Sequence, residues 1–347
     1  MFIHVIATRP NFIKFAPVFR AMNEIGLKSK VVHTGQHYDY KMSDIFMEDL
    51  KIKPDWHLGI KGGDDIESIA KTMVSCKELF LHEKPTAIIV YGDVNATLAA
   101  ALAANKVKIP IIHVESGCRS GDKTMPEEVN RILVDNITDL FFCTDYHSLE
   151  SLYKEGHVNN IEVVGNTAID ALYEILEKIN DTSRPIKYSY ALCTLHRQSN
   201  VDDIDRLYKL LNSISKFDIK IVLPAHPRLL KNILKIGAIP ENIELIDPLG
   251  YTDFINHLKH CKFVITDSGG IQCETGVLRK TCFLLRDTIE HKVAKLYGTI
   301  IQCPEPEDLE KYIDMCLPKT DGYKIPDVWD GEASKRIANI IKEKYGK

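Results

Sequence analysis

Apolar runs of strand length alternate with amphipathic stretches of helix length along almost the whole chain. Runs at 2–7, 29–34, 86–91, 109–115 and 139–144 read as buried strands, and a second set follows at 188–194, 218–223, 242–246, 262–266 and 281–285. The stretches between them, such as 64–83 and 200–215, carry helical periodicity. Strands that alternate with helices in this way form parallel sheets with crossover helices. The two sets of runs are separated by a helical stretch and then Asn180-Asp181-Thr182-Ser183-Arg184-Pro185, the best linker in the chain. The pattern predicts an α/β protein of two Rossmann-like halves facing a cleft. The first domain is expected over 1–170, a linker over 171–185 and a second domain over 186–330. The last helical stretch, within 331–347, has no strand after it and is expected to pack back on the first domain.

Length agrees with this division, because 347 residues exceed the size at which one core usually keeps growing. The apolar share of 45% and the charged share of 27% are those of an ordinary globular protein. A net charge of -4 gives no electrostatic reason to expect nucleic acid or an anionic membrane as partner, so any grip on an anion must be local. The amino terminus starts directly on the run Phe2-Ile3-His4-Val5-Ile6-Ala7, so no signal peptide is expected. No apolar run approaches the ~20 residues of a membrane span. The nine cysteines include no CxxC pair, and several, such as Cys143 and Cys282, sit in strand-like runs. Buried, reduced thiols in a cytoplasmic protein are the expectation. The thirteen histidines lack ligand spacing, His33 and His37 merely flanking Thr-Gly-Gln, and no metal site is expected.

The unusual polar residues fall where strands end. Run 2–7 leads into Thr8-Arg9-Pro10 and Lys14, run 86–91 into Gly92-Asp93, and run 109–115 ends on Glu115. Run 188–194 leads into Leu195-His196-Arg197, and run 262–266 into Asp267-Ser268-Gly269-Gly270. In an open parallel sheet those ends line one crevice. Thr266-Asp267-Ser268-Gly269-Gly270 suits an anion at a helix start, and equally suits a plain cap with glycines for a tight turn. Arg9 and Lys14 add positive charge at the first turn, with Pro10 fitted to the first helical position. Asp93 reads either as a functional acid or as the cap of a helix starting near Asn95. Glu115 is harder to explain as a cap. Pro126-Glu127-Glu128 opens a helix, where acids favour the dipole and Glu127 is placed to pair with Arg131. His196 is equally readable as a core histidine. Together the acids and the histidine around an anion site point to acid/base chemistry on a phosphorylated ligand. There is no GxGxxG and no Walker lysine pattern, so neither a dinucleotide nor ATP is indicated.

These residues resemble, almost end to end, the non-hydrolysing UDP-N-acetylglucosamine 2-epimerases. The resemblance is carried by Thr8-Arg9-Pro10 with Lys14, Thr34-Gly35-Gln36-His37, Tyr91-Gly92-Asp93 and His113-Val114-Glu115-Ser116-Gly117. It continues in Met125-Pro126-Glu127-Glu128-Val129-Asn130-Arg131, Gly165-Asn166-Thr167, His196-Arg197 and Thr266-Asp267-Ser268-Gly269-Gly270-Ile271-Gln272 with Glu274. It implies two Rossmann-like domains in the GT-B arrangement and a cytoplasmic homodimer acting on a UDP-sugar. The implied reaction inverts carbon 2 by anti elimination of UDP and syn re-addition, with no redox cofactor or metal. The catalytic groups implied are Asp93, Glu115, Glu127 and His196. Arg9, Lys14, Ser268, Gly269, Gly270 and Glu274 would hold diphosphate and ribose, Phe254 would lie at the uracil, and Glu290 and His291 would complete the nucleotide contacts.

The chain also departs from the family pattern. Glu290-His291-Lys292-Val293 stands where Glu-Arg-Pro-Glu is common, so His291 replaces a nucleotide-contacting arginine. Gln36-His37-Tyr38-Asp39-Tyr40 resembles the branch acting on modified UDP-sugars such as a 2,3-diacetamido uronic acid, which leaves the exact sugar open. A GT-B glycosyltransferase would share the nucleotide site without needing acids on both faces of carbon 2. Hydrolysing epimerases, which release UDP, differ at the first turn and lack the Pro-Glu-Glu helix start. A UDP-sugar binder that has lost catalysis would not need Asp93, Glu115, Glu127 and His196 intact.

Overall fold

The computed structural model describes residues 1–35, 47–60, 64–179, 184–289, 298–312 and 324–346. They form two compact units, Met1–Glu174 with Pro326–Lys347, and Ile175–Ile325.

The first unit holds a seven-stranded sheet of β1 (Phe2–Ile6), β2 (Ser29–His33), β3 (Trp56–His57), β4 (Ala87–Tyr91), β5 (Ile111–Ser116), β6 (Leu140–Cys143) and β7 (Ile161–Val163). Its order is β3-β2-β1-β4-β5-β6-β7, and the pairings are parallel. The connections run through α1 (Arg9–Glu24), α2 (Asp65–Glu83), α3 (Asn95–Lys106), α4 (Pro126–Asp135) and α5 (Tyr146–Lys154), with α6 (Thr167–Lys178) leaving the sheet. β1 and β4 are buried along their whole length, as continuous apolar runs in a parallel sheet require. Against them α3 presents a row of buried alanines, and α2 closes the layer with Cys76 and Phe80.

The second unit holds a six-stranded parallel sheet of β8 (Tyr190–Thr194), β9 (Lys220–Pro224), β10 (Ile243–Ile246), β11 (Phe263–Thr266), β12 (Thr281–Leu284) and β13 (Ile300–Gln302). Its order is β10-β9-β8-β11-β12-β13. The helices are α7 (Gln198–Val201), α8 (Ile204–Ser215), α9 (Pro227–Ile236), α10 (Tyr251–His260) and α11 (Ile271–Val277). Leu207, Leu210, Leu211 and Ile214 of α8 pack with Phe217, Phe263 and Phe283 in one core.

The last helix, α12 (Ala333–Tyr345), belongs to the first unit. The Asp170 carboxylate accepts from the amides of Ala333 and Ser334 at 3.2 and 2.6 Å, capping the start of α12 from α6. Just upstream, buried Trp329 donates from Nε1 to the Thr144 carbonyl at 2.9 Å, and Tyr345 meets Phe2 edge-on at the other end.

Three strands have no counterpart among the ten runs read from the sequence: β3, β7 and β13. All three are edge strands of two or three residues and only partly buried, so no apolar run marks them. The stretch 200–215 is two helices, broken at Asp202 and Asp203, where Asp203 caps α8. The chain passes between units within α6, and residues 180–183 of the expected linker lie outside the described residues. Among the described residues all eight cysteines are buried and free, and no helix is long and apolar enough to cross a membrane.

Candidate active site

In both sheets the strand order reverses once, between β1 and β4 in the first unit and between β8 and β11 in the second. The crevice beyond the carboxyl ends of strands at such a reversal is where open α/β sheets bind ligands. Asp93 follows β4 and the glycine turn follows β11, while Glu115 lies at the end of β5 next to β4 and Glu127 opens α4.

In the first unit β1 runs into Thr8, the cap of α1, so Arg9 is the first helical residue and Pro10 the second. Asn11 accepts from the amides of Ala7 and Thr8 at 3.3 Å each and donates to the Tyr91 carbonyl at 2.9 Å, tying this turn to the end of β4. One helical turn on, Lys14 Nζ lies 2.6 Å from Glu115 Oε1, with only 14% and 7% of the two side chains exposed. Burial by itself would lower the Lys14 pKa. The charges of Glu115 and Asp93 more than offset this and hold it above the ordinary lysine value. Gly92 leaves room beside the pair: a Cβ there would crowd Lys14 Nζ at 3.0 Å, and its φ is +60°.

Glu115 has a φ of +73°, in the left-handed region that costs a non-glycine residue roughly 1–2 kcal/mol. The register between β5 and β6 shifts at this point, between Val114 and Ser116. The bulge re-aims the glutamate from the strand toward Lys14.

Asp93 does not cap α3; that position is Val94. Its carboxylate instead pairs with Arg131 of α4, and its carbonyl accepts from Asn130 Nδ2 at 2.9 Å. Arg131 also binds Glu128 at 2.9 Å, so the arginine expected beside Glu127 serves Glu128 and Asp93. The reason is helical geometry plus burial: Glu128 and Arg131 share the inner face of α4, while Glu127 is exposed in its first turn. Glu128 also accepts from the amides of Ser120 and Gly121 at 2.9 Å each, shaping the loop before α4. Burial would raise its pKa, but these amides and Arg131 hold it below the usual glutamate value.

In the second unit Asp267 follows β11 and is fully buried. It accepts from the backbone amides of His196 and Arg197 and from Asn200 Nδ2, at 3.0 to 3.2 Å, and lies 2.7 Å from His196 Nδ1. Burial works against its charge, yet the His196 contact and these donors keep its pKa below the ordinary value. Asp267 therefore fastens the β8 end to the β11 end and does not cap α11; Gly270 does. His196 is no core residue: 53% of its side chain is exposed. Ser268 and Gly269 are half-buried and Gly270 exposed, with open space where a Gly270 side chain would stand. Behind the turn, buried Glu274 accepts from the Tyr251 hydroxyl at 2.9 Å, and its pKa is pushed up to about 7 by burial, the hydroxyl pulling the other way. Phe254 is half-buried on α10, one turn after Tyr251.

The structure thus brings Lys14, Asp93 and Glu115 together in the first unit, and His196, Asp267 and the Ser268–Gly270 turn together in the second. Glu290 and His291, like Gln36–Tyr40, lie outside the described residues. Sequence reading passed over Asn11, Asn130, His113 and Asp135, although polar residues on the apolar side of a strand or helix were the available signal. The amine of Lys14, expected at the diphosphate, lies 2.6 Å from Glu115 Oε1.

A family model described as UDP-N-acetylglucosamine 2-epimerase matches residues 20–342. The UDP-N-acetylglucosamine 2-epimerase of Methanocaldococcus jannaschii is 35% identical over 99% of this chain and 98% of its own. The UDP-2,3-diacetamido-2,3-dideoxy-D-glucuronate 2-epimerase of Pseudomonas aeruginosa is 39% identical over 82% of this chain and 83% of its own. In structure, the M. jannaschii epimerase in complex with UDP-GlcNAc and UDP matches with a TM-score of 0.91 at 34% identity, covering 99% of this chain and 100% of that one. With two parallel α/β sheets, acids at the strand ends and agreement over nearly its whole length, the chain belongs to the UDP-N-acetylglucosamine 2-epimerase family.

Proposed function

We propose that the protein interconverts a UDP-N-acetylglucosamine-type sugar and its manno epimer without net hydrolysis, by loss of UDP across carbons 1 and 2 and its return. The observation that carries this reading is the pairing of two strand-end carboxylates, Asp93 and Glu115, with a cation each, Arg131 and Lys14. Inverting a carbon that bears a non-acidic proton needs one group to take the proton and another to return it from the opposite face. As UDP departs, positive charge builds on the sugar ring, and fixed carboxylates stabilise that charge. Lys14, 2.6 Å from Glu115 Oε1, fixes the aim of that carboxylate. Exposed Glu127 at the start of α4 is the third acid of the set.

The second unit would hold the nucleotide. The Ser268–Gly270 turn offers backbone amides to the diphosphate, Glu274 an acceptor to the ribose hydroxyls, and Phe254 a ring to the uracil. Asp267 holds His196 through Nδ1, leaving Nε2 for the departing phosphate. Arg9 adds a cation at the first turn. We read the sugar as UDP-N-acetylglucosamine or a 2,3-diacetamido uronic acid derivative, the second supported by the 39% identity to the P. aeruginosa enzyme.

Exposed Ile66, Val74 and Leu81 on α2, with Val129 and Leu133 on α4, favour a homodimer through the first unit, to be checked by light scattering. A cytoplasmic location fits the buried, unpaired cysteines and is checked by cell fractionation. The test of function is incubation with UDP-N-acetylglucosamine, and separately with the diacetamido uronic acid derivative, in deuterated water. Deuterium at carbon 2 with a manno product is expected from one of them. Free sugar with UDP would instead identify hydrolysis. Asp93→Asn and Glu115→Gln should abolish exchange while UDP binding persists; full exchange in either would overturn the assignment.

A further inference from the structure

A buried carboxylate lies beneath both acid-bearing turns of the first unit. Asp135, the last residue of α4, is fully buried, as is His113 in the middle of β5. Asp135 Oδ1 accepts from His113 Nδ1 at 2.7 Å, while Oδ2 accepts from Arg119 Nη2 at 2.7 Å and from the Gly117 amide at 3.0 Å. The other ring nitrogen of His113, Nε2, reaches the Gly92 carbonyl at 2.9 Å. A carbonyl and a carboxylate only accept, so each ring nitrogen of His113 faces an acceptor. Arg119 is fixed in turn by Glu155, at 2.7 and 2.6 Å, and by the Cys118 carbonyl at 2.8 Å.

The consequence is geometric. Through His113 the Asp135 carboxylate holds the peptide just before Asp93, and directly it holds the peptide two residues after Glu115. Glu115 sits between its two fastened neighbours, His113 and Gly117. A glutamate persists in a left-handed conformation only where the surroundings over-determine it, and these contacts do so. Packing alone would not call for this arrangement. Well-packed apolar residues of similar volume usually support a fold as well as buried charges do, without the cost of desolvation. They could not pin two peptide groups.

We propose that Asp135 and His113 are positioning residues that set the separation and aim of Asp93 and Glu115. The inference rests on the epimerase reading above and adds to it the device that keeps its two acids in register.

The test follows deuterium exchange at carbon 2, beginning with wild type. No exchange with either UDP-sugar would overturn the epimerase reading and this inference with it. Given wild-type exchange, Asp135→Ala should lower kcat on the order of 100-fold, the scale expected for a displacement of about 1 Å at reacting groups. KM and UDP affinity should stay within about twofold, because the proposed nucleotide contacts hang mainly on the second unit. Asp135→Asn should recover at least about tenfold of the loss. Its oxygen still accepts from Gly117 and Arg119, while its amide donates to His113 Nδ1 and Nε2 keeps its proton for Gly92. His113→Phe, which keeps ring volume and removes both bonds, should match Asp135→Ala. Folded variants within about threefold of wild type, UDP affinity falling in step with kcat, or Asn no better than Ala would each overturn the inference. So would failure of all three variants to fold, which would assign the network to stability alone.

Discussion

Glu274 makes the folded protein's stability depend on pH near neutrality. It is buried and accepts from the Tyr251 hydroxyl, and burial pushes its pKa from 4.5 up to about 7. In the unfolded chain the same group titrates near 4.5. Between those values the folded state binds the extra proton, so stability falls as pH rises. The contribution is fully present below about pH 4.5 and is lost as pH rises through about 7. A difference of 7 minus 4.5, or 2.5 units, corresponds to about 3 kcal/mol, at 1.36 kcal/mol per unit. The perturbation is Glu274→Gln, which keeps an acceptor for Tyr251 and removes the titration. The assay is thermal unfolding of wild type and variant side by side from pH 5 to pH 8.5. For a unit spanning Ile175–Ile325, 1 kcal/mol moves Tm by roughly 2–4 °C. From pH 5 upward about 2 of those units, or roughly 2.5 kcal/mol, are lost, so the Tm of wild type should fall by roughly 5–10 °C relative to the variant across this range. Parallel curves, within about 1 °C throughout, would refute the reasoning. The proposed ribose contact adds a second readout. Hydroxyls that donate to the carboxylate favour its ionised form, so UDP affinity should rise through pH 7 in wild type and stay flat in the variant.

Three further outcomes follow from individual contacts. Gly117→Ala places a Cβ 2.3 Å from the Ser148 carbonyl oxygen at a φ of +76°, so a loss of about 2–5 kcal/mol is expected in denaturant unfolding; a loss below about 1 kcal/mol would show that the backbone yields. Glu128→Gln removes one of the carboxylates on Arg131 and weakens the hold on the Ser120 and Gly121 amides. It should cost about 1–3 kcal/mol and expose the 117–125 loop to proteolysis, and an unchanged cleavage rate would count against the role given to Glu128. Trp329→Phe strips the Thr144 carbonyl of its buried donor and should cost about 1–3 kcal/mol while leaving UDP affinity unchanged, as checked by calorimetry.

Much of the candidate site was legible because its residues interrupt a regular pattern. A carboxylate closing an apolar run, as Glu115 closes 109–115, has no local explanation and therefore signals chemistry. The misreadings were those that rest on partner choice. For Asp93 the cap remained open beside a functional acid because acids before helices often cap them, yet Arg131, 38 residues on, claims its carboxylate. Arg131 looked like the partner of Glu127 because i+4 spacing is local, yet the inner face of α4 carries it to Glu128 and Asp93. His113 was read as part of an apolar strand because nothing nearby announces Asp135.

Taken alone, the order of apolar runs and glycine turns determined that this is a parallel α/β protein with acids at its strand ends, and the motifs determined its family. Periodicity and turn chemistry are local properties, so one chain suffices to read them. Tertiary structure decided which charge meets which: Lys14 with Glu115, Arg131 with Asp93, His196 with Asp267 and His113 with Asp135. Those pairs join residues from 22 to 101 positions apart. Coulombic and hydrogen-bond energies depend on distance through space in a poorly solvated interior, which the order of residues does not encode until the sheet brings its strand ends together.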